Sequence, residues 1–254
     1  MGQFKAVLLV LTTVVFWLRL SLAMVGFIVA IFWLIVLRIL RTTPAYSRQS
    51  FGRAMSRCMC PPLGIRVRVQ GWEYLEQASP CIYVANHQSY VDYPIAGTVF
   101  PGNAAVLARQ VGHMPVLGAL FRSTENISVD RDNPTRATHA LEVAEAAISQ
   151  RRSSIWIFPE GTRGKVMGKM GPFKRGAFRL AMATGVPLVP VVISPLKPNT
   201  DIRARRLRRH QVDIRILPPI SANAFPEGGE SELRDHVQRV MQEVLDHDMM
   251  ARVR

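Results

Sequence analysis

Apolar residues in this chain fall into three kinds of run. The first kind occurs once: residues 7–37 are almost wholly apolar, interrupted by Arg19 and a few small polar residues. As helix, residues 7–18 would be roughly 18 Å long and residues 20–37 roughly 27 Å, against a hydrocarbon core of about 30 Å. One unbroken helix would carry Arg19 near its middle, a costly placement unless the guanidinium reaches the headgroups. The pattern therefore predicts two helices that bend at Arg19, a hairpin embedded in one leaflet. A cleavable signal peptide competes with this reading, because Lys5 precedes the run and Ala23 offers a weak cleavage site, but apolar sequence continues well past Ala23.

The second kind is short. Residues 65–70 alternate strictly, as an edge strand with one wet face does. Residues 81–85, 104–108, 154–158 and 187–193 are uncharged, the pattern of strands buried on both faces. Residues 127–129 and 211–217 alternate again. The third kind has helical spacing. Asn133 and Pro134 open one helix, whose apolar face is Ala137, Ala140, Leu141, Ala144, Ala147 and Ile148. Residues 173–178 open another, which Gly185 closes. Leu233, Val237, Val240, Met241 and Val244 mark the last. Residues 114–121, apolar around Gly118, read equally as a short helix lying on a membrane or as ordinary core. Strands alternating with helices predict an α/β layered fold, a mixed and largely buried central sheet flanked by helices, plus the N-terminal membrane-embedded two-helix segment. Residues 1–57 form the membrane-attached segment and its basic connector, and residues 58–254 one domain without an internal linker.

Charge narrows the partners. The 254 residues carry a formal net charge of +14, which calls for an anionic partner, nucleic acid or a membrane surface. Arg203, Arg205, Arg206, Arg208 and Arg209 form a dense run with no interleaved aromatics and no adjacent nucleic-acid motif. That favours a loop facing anionic lipid over a basic, membrane-bound nucleic-acid-binding protein. Arg38, Arg41, Arg48, Arg53 and Arg57 follow the long apolar run and hold the next domain in the cytoplasm by the positive-inside bias. The three cysteines, Cys58, Cys60 and Cys81, suit a reducing compartment, and Cys58-x-Cys60 lacks the second ligand pair a metal site needs.

Two of the uncharged strands end abruptly in chemistry. Residues 81–85 run into Asn86-His87-Gln88-Ser89, and residues 154–158 into Glu160-Gly161-Thr162-Arg163 by way of Pro159. Open α/β sheets place their sites at such ends. His87 and Asp92 would lie about 140° apart on a continuous helix, so a shared role needs a turn between them. A loop entering a helix near Ser89 lets Asp92 reach back, hold one ring nitrogen protonated and leave the other free to take a proton. By itself the pattern also describes a surface histidine beside a capping aspartate. Arg109, Arg131 and Arg163 stand at further strand ends, and arginines beside a glycine turn suit a phosphate. A base near a phosphate site near a bilayer suggests a phospholipid precursor whose hydroxyl is activated.

These residues together carry a resemblance. Asn86-His87-x4-Asp92, residues 125–131 (ENISVDR), residues 158–163 (FPEGTR) and residues 186–190 (VPLVP) resemble, in order and spacing, the four motifs of lysophosphatidate acyltransferases and related glycerolipid acyltransferases. Residues 173–178 (FKRGAF) also resemble family sequence beyond the third motif. The likeness covers about residues 60–200 and makes residues 58–254 the acyltransferase domain. It implies transfer of a fatty acyl group from an acyl-CoA or acyl-carrier-protein thioester to the sn-2 hydroxyl of lysophosphatidate, giving phosphatidate with no cofactor, no metal and no acyl-enzyme. His87 would be the general base and Asp92 its orienter. Asn86, Arg109, Arg131, Glu160, Gly161, Thr162 and Arg163 would meet substrate. Partners would be the two substrates, an anionic membrane surface and acyl-carrier protein if it is the donor, with no nucleic acid; the site would be the cytoplasmic side of the inner membrane. The chain departs from the pattern at Glu125, where the family usually has glycine, at Ser128, where it has a bulky apolar residue, and at Arg109, which stands for a lysine. Those departures bear on the head group and keep another lysolipid, such as a lyso-aminolipid, as the alternative acceptor.

Overall fold

The computed structural model describes residues 2–108, 115–130, 133–164 and 166–253. Helix α1, Gly2–Ile39, is unbroken, so the bend expected at Arg19 does not occur. The cost that argued for a bend is met by protein instead. Arg19 Nε donates to the Pro62 carbonyl at 2.7 Å, and Nη1 donates to the Leu207 carbonyl. Pro62 lies in the last turn of helix α2, Pro44–Leu63, where carbonyls have no partner within the helix.

The hairpin therefore turns one element later than expected. Arg38 Nη1 donates to the Thr42 carbonyl at 2.6 Å, and α2 starts from a Thr43 cap with Pro44 in its first turn. Phe16, Ala23, Ala30, Leu34 and Leu37 form the buried seam of α1, while Leu22, Val25, Ile28 and Phe32 on its other side are exposed. Gly26 sits on this seam, where a Cβ would strike the Cys58 carbonyl of α2. Residues 7–11 and 14–15, before the seam, are exposed.

A seven-stranded sheet organises the rest, in the order β1-β9-β6-β2-β5-β3-β4. The strands are β1 Ile65–Gln70, β2 Ile82–Ala85, β3 Ala104–Ala108, β4 Ile127–Ser128, β5 Ser154–Ile157, β6 Leu188–Ile193 and β9 His210–Ile216. A separate two-stranded ladder joins β7, Thr200–Asp201, to β8, Arg206–Leu207. Neighbours in the large sheet are parallel except β6 and β9, so β1 and β9 run against the other five strands and the sheet is mixed. The uncharged run at residues 81–85 becomes the central strand, and the alternating run at 65–70 becomes an edge.

The pleat sorts the core into two layers. Tyr83, Trp156, Val189 and Val191 face α1, α2 and the short helix α4, Asp92–Ala96. Ile82, Val84, Ile155, Leu188 and Val192 face the other way. There they meet α6, Pro134–Arg151, α7, Gly176–Thr184, and α8, Glu230–Val253. Two further short α-helices are α3, Tyr74–Gln77, which follows β1, and α5, Pro115–Ser123, which lies against α1. Met114, the first residue of the expected 114–121 helix, lies outside the described residues.

Candidate active site

β2 and β5 are parallel neighbours, so the segments that follow them leave the sheet side by side. His87 follows β2, and its Nδ1 lies 2.8 Å from Asp92 Oδ2. Asp92 starts α4 rather than following a helical turn from Ser89, and its side chain is wholly buried. The same oxygen accepts the backbone N–H of Gln88 and, at 2.8 Å, that of Ser89. The acid therefore folds the loop over itself and orients the imidazole with one group. Phe158 stacks on the His87 ring at 4.5 Å between centroids, and Tyr93 meets it edge-on at 5.7 Å. The ring is thus held by a hydrogen bond at one nitrogen and by aromatic contacts on its face and edge. With Nδ1–H donating to the carboxylate, Nε2 carries the lone pair.

The second segment grips the backbone of the first. Glu160 is 4% exposed; its Oε1 accepts the His87 N–H at 2.8 Å and its Oε2 the Gly171 N–H at 2.7 Å. Burial pushes its carboxyl up from the usual range against the opposing pull of those two amides. Gly161 has φ of 72°, a left-handed conformation that needs no Cβ, and it lets the chain turn straight after Glu160. Gly164 then donates to the His87 carbonyl at 2.8 Å, so both backbone groups of His87 are tied to this turn. Thr162 is exposed. Arg163 lies over the ring of Tyr90, with its guanidinium carbon 3.9 Å from the ring centroid.

Asn86 lies elsewhere in the network. It is 1% exposed, donates to the Ile193 carbonyl at 3.0 Å and accepts the Ile193 N–H at 2.7 Å, a splint between β2 and β6. Arg109 and Arg131 lie outside the described residues. Glu125 has φ of 57°, a left-handed conformation that suits the glycine of the motif it resembles. Its carboxylate lies 3.7 Å from both Arg48 and Arg151, cations that accompany this departure. Ser128 lines a cavity of about 530 Å³ between β4 and α6 that does not include His87. Beside His87 itself, under Val166, Gly168 and Met170, the free space is only about 10 Å³.

Sequence reasoning missed Tyr90, Gln238 and Gln242. The two glutamines stand one turn apart on α8 and clamp the strap over His87. Gln242 accepts the Met170 N–H at 3.0 Å and donates to the Gly168 carbonyl at 2.8 Å. Gln238 accepts the Phe173 N–H and donates to the Gly171 carbonyl, each at 3.2 Å. Their i, i+4 spacing on the final helix was the available signal, but their backbone partners leave no mark in sequence. Among the described residues no cluster of His, Cys, Asp or Glu is arranged to hold a metal ion.

The stretch that carries this histidine–carboxylate pair falls inside a match to a known family. The family model described as Acyltransferase matches residues 66–194, and the chain belongs to that family. The 1-acyl-sn-glycerol-3-phosphate acyltransferase of Escherichia coli (strain K12) is 33% identical over 195 residues, covering 76% of this chain and 78% of that one. The alpha form of the human enzyme of the same name is 34% identical over 180 residues, covering 70% of this chain and 63% of that one. The fold is similar to the crystal structure of the 1-acyl-sn-glycerophosphate acyltransferase PlsC from Thermotoga maritima. That match has a TM-score of 0.73 at 24% identity and covers 97% of both chains. The protein is accordingly an acyltransferase enzyme with an α/β layered domain and one long apolar N-terminal helix.

Proposed function

We propose that this acyltransferase esterifies the sn-2 hydroxyl of lysophosphatidate from a fatty acyl thioester, giving phosphatidate. The observation that carries the reading is the 2.8 Å contact between His87 Nδ1 and the fully buried Asp92 carboxylate, in a chain whose relatives act on 1-acyl-sn-glycerol-3-phosphate by name. His87 Nε2 takes the proton of the acceptor hydroxyl as its oxygen attacks the thioester carbonyl. Asp92 stabilises the imidazolium that forms, and backbone amides at the loop turns stabilise the tetrahedral oxyanion. Collapse expels the thiolate, which recovers the proton from the imidazolium. The donor is acyl-CoA or acyl-carrier protein, and the reaction uses no further cofactor. Arg163, with Arg109 and Arg131, meets the acceptor phosphate.

The enzyme works at the cytoplasmic face of the inner membrane. Support comes from α1, whose residues 7–39 are long and apolar enough to cross a membrane by length and composition. The arginines of residues 203–209 add a surface for anionic lipid.

The test is an assay of the purified enzyme with a panel of lysolipids and both kinds of thioester, beside His87→Ala. Lysophosphatidate should be the preferred acceptor, and His87→Ala should lose roughly 10²- to 10⁴-fold in kcat while remaining folded. Preference for a lysolipid without phosphate would discard the substrate and leave the acyl transfer standing. Near-full activity of folded His87→Ala would reject the base.

A further inference from the structure

Arg163 is the described arginine nearest in sequence to the turn that grips His87, yet no carboxylate holds it among the described residues. What it touches is the face of Tyr90, at 3.9 Å from guanidinium carbon to ring centroid. Tyr90 sits in the loop between His87 and Asp92 and is 57% exposed, outside both core clusters, so its ring contributes little to holding the fold together. An exposed aromatic in a loop this tightly bonded needs another reason to be there.

Stacking and hydrogen bonding use different parts of a guanidinium. The ring occupies the flat face, where the cation is attracted to the π quadrupole, and leaves the N–H groups along the edge free. Those edge groups are what a phosphate takes in bidentate fashion. An arginine without a carboxylate keeps its charge uncompensated, and an arginine held by a ring loses less side-chain freedom when a ligand arrives. The bond from Gly164 N–H to the His87 carbonyl keeps this cation one residue from the backbone of the base. One loop thus carries the base at its start, the orienting acid at its end and, between them, the support of the cation.

We propose that Tyr90 is a positioning residue that sets acceptor specificity: its ring holds the Arg163 guanidinium with its edge toward the acceptor's phosphate. The proposal rests on the reading that Arg163 meets that phosphate. It goes beyond it by assigning the selectivity for a phosphorylated acceptor in part to a residue that never touches substrate.

The experiment is steady-state kinetics on the full-length enzyme with lysophosphatidate and with an uncharged monoacylglycerol, for Tyr90→Phe, Tyr90→Leu, Arg163→Ala and the double variant Tyr90→Leu/Arg163→Ala. Losing the ring face should raise KM for lysophosphatidate roughly two- to thirtyfold, with kcat and thermal stability little changed and the monoacylglycerol unaffected. Tyr90→Phe keeps the face and should keep the KM. In the Arg163→Ala background, Tyr90→Leu should have no further effect. Equal damage from Phe and Leu would overturn the proposal by making the hydroxyl the active group, as would a Leu effect that adds to Arg163→Ala. If Arg163→Ala raises KM and Tyr90→Leu does not, the proposal alone falls. If Arg163→Ala leaves lysophosphatidate untouched, the phosphate reading falls and takes the proposal with it.

Discussion

Glu160 holds two backbone amides on one carboxylate, and that arrangement sets what can replace it. Glutamine offers a single oxygen, so its NH₂ would face either the His87 N–H or the Gly171 N–H, donor against donor. Glu160→Gln should therefore cost about 1–3 kcal/mol from the unsatisfied buried donor and lower kcat more than it raises KM, since the His87 loop loses its grip. Its carboxyl is raised in the fold by burial, so its own contribution to stability is full below the unfolded value and is lost as pH rises through the folded one. The gap in melting temperature between wild type and Glu160→Gln should thus narrow as pH rises across that window. An unchanged melting temperature and kcat would mean that the loop is held by the Gly164 bond alone. Sequence made the His87–Asp92 pair legible only through the four motifs taken together, since His-x4-Asp by itself also describes a surface histidine beside a capping aspartate. It could not show that Glu160 and Asn86 spend their polar atoms on backbone, because a backbone partner such as Gly171 or Ile193 has no side-chain identity to read.

At the level of elements, uncharged runs and alternation were enough to place the seven strands of the large sheet, though not the β7–β8 ladder at the basic run, and the Asn133 cap and the Gly185 stop were enough to place two helix ends. α2 escaped because its arginines and its Pro61-Pro62 pair look like a connector. Arg48 is in fact 5% exposed, donating to the carbonyls of Gly102 and Thr124, a burial that charge alone argues against. Arg19 misled for the same reason. A charge in an apolar run is costly only until something satisfies it, and the carbonyls that satisfy this one are contacts that no local pattern encodes: Pro62 is 43 residues from Arg19 and Leu207 is 188. Arg19→Met keeps an unbranched apolar stem and removes both bonds. It should lower stability by about 1–3 kcal/mol in thermal unfolding of the detergent-solubilised enzyme, with helix content preserved. No loss of stability would show that water serves those carbonyls equally well.

Across the whole molecule, α1 does two jobs that can be separated by position. Its seam from Phe16 to Leu37 is buried, whereas Val7, Leu8, Leu11, Val14 and Val15 are at least half exposed, between 50% and 58%. The seam matters to the site because α2 meets α4 backbone to backbone. A Cβ on Gly97 would collide with the Gly52 carbonyl, and Ser56 bonds Thr98 at 2.7 Å just beyond α4, whose first residue is Asp92. Deleting residues 1–40 should therefore damage activity as well as attachment, by stripping the support from α2. Deleting residues 2–15 should leave folding and kcat on detergent-dispersed substrate intact, because the large apolar side chains from Val7 to Val15 are exposed and the buried seam begins only at Phe16. Membrane pelleting should then fall at high salt but persist at low salt, since a chain that carries +14 in full and loses only the charge of Lys5 still binds anionic lipid. Full retention of the shortened enzyme in the pellet at high salt would mean that the outer face of the remaining α1, with Leu22, Val25, Ile28 and Phe32, is anchor enough. Complete release at low salt would instead make residues 2–15 the entire attachment and leave the basic loop at residues 203–209 without a role at the bilayer.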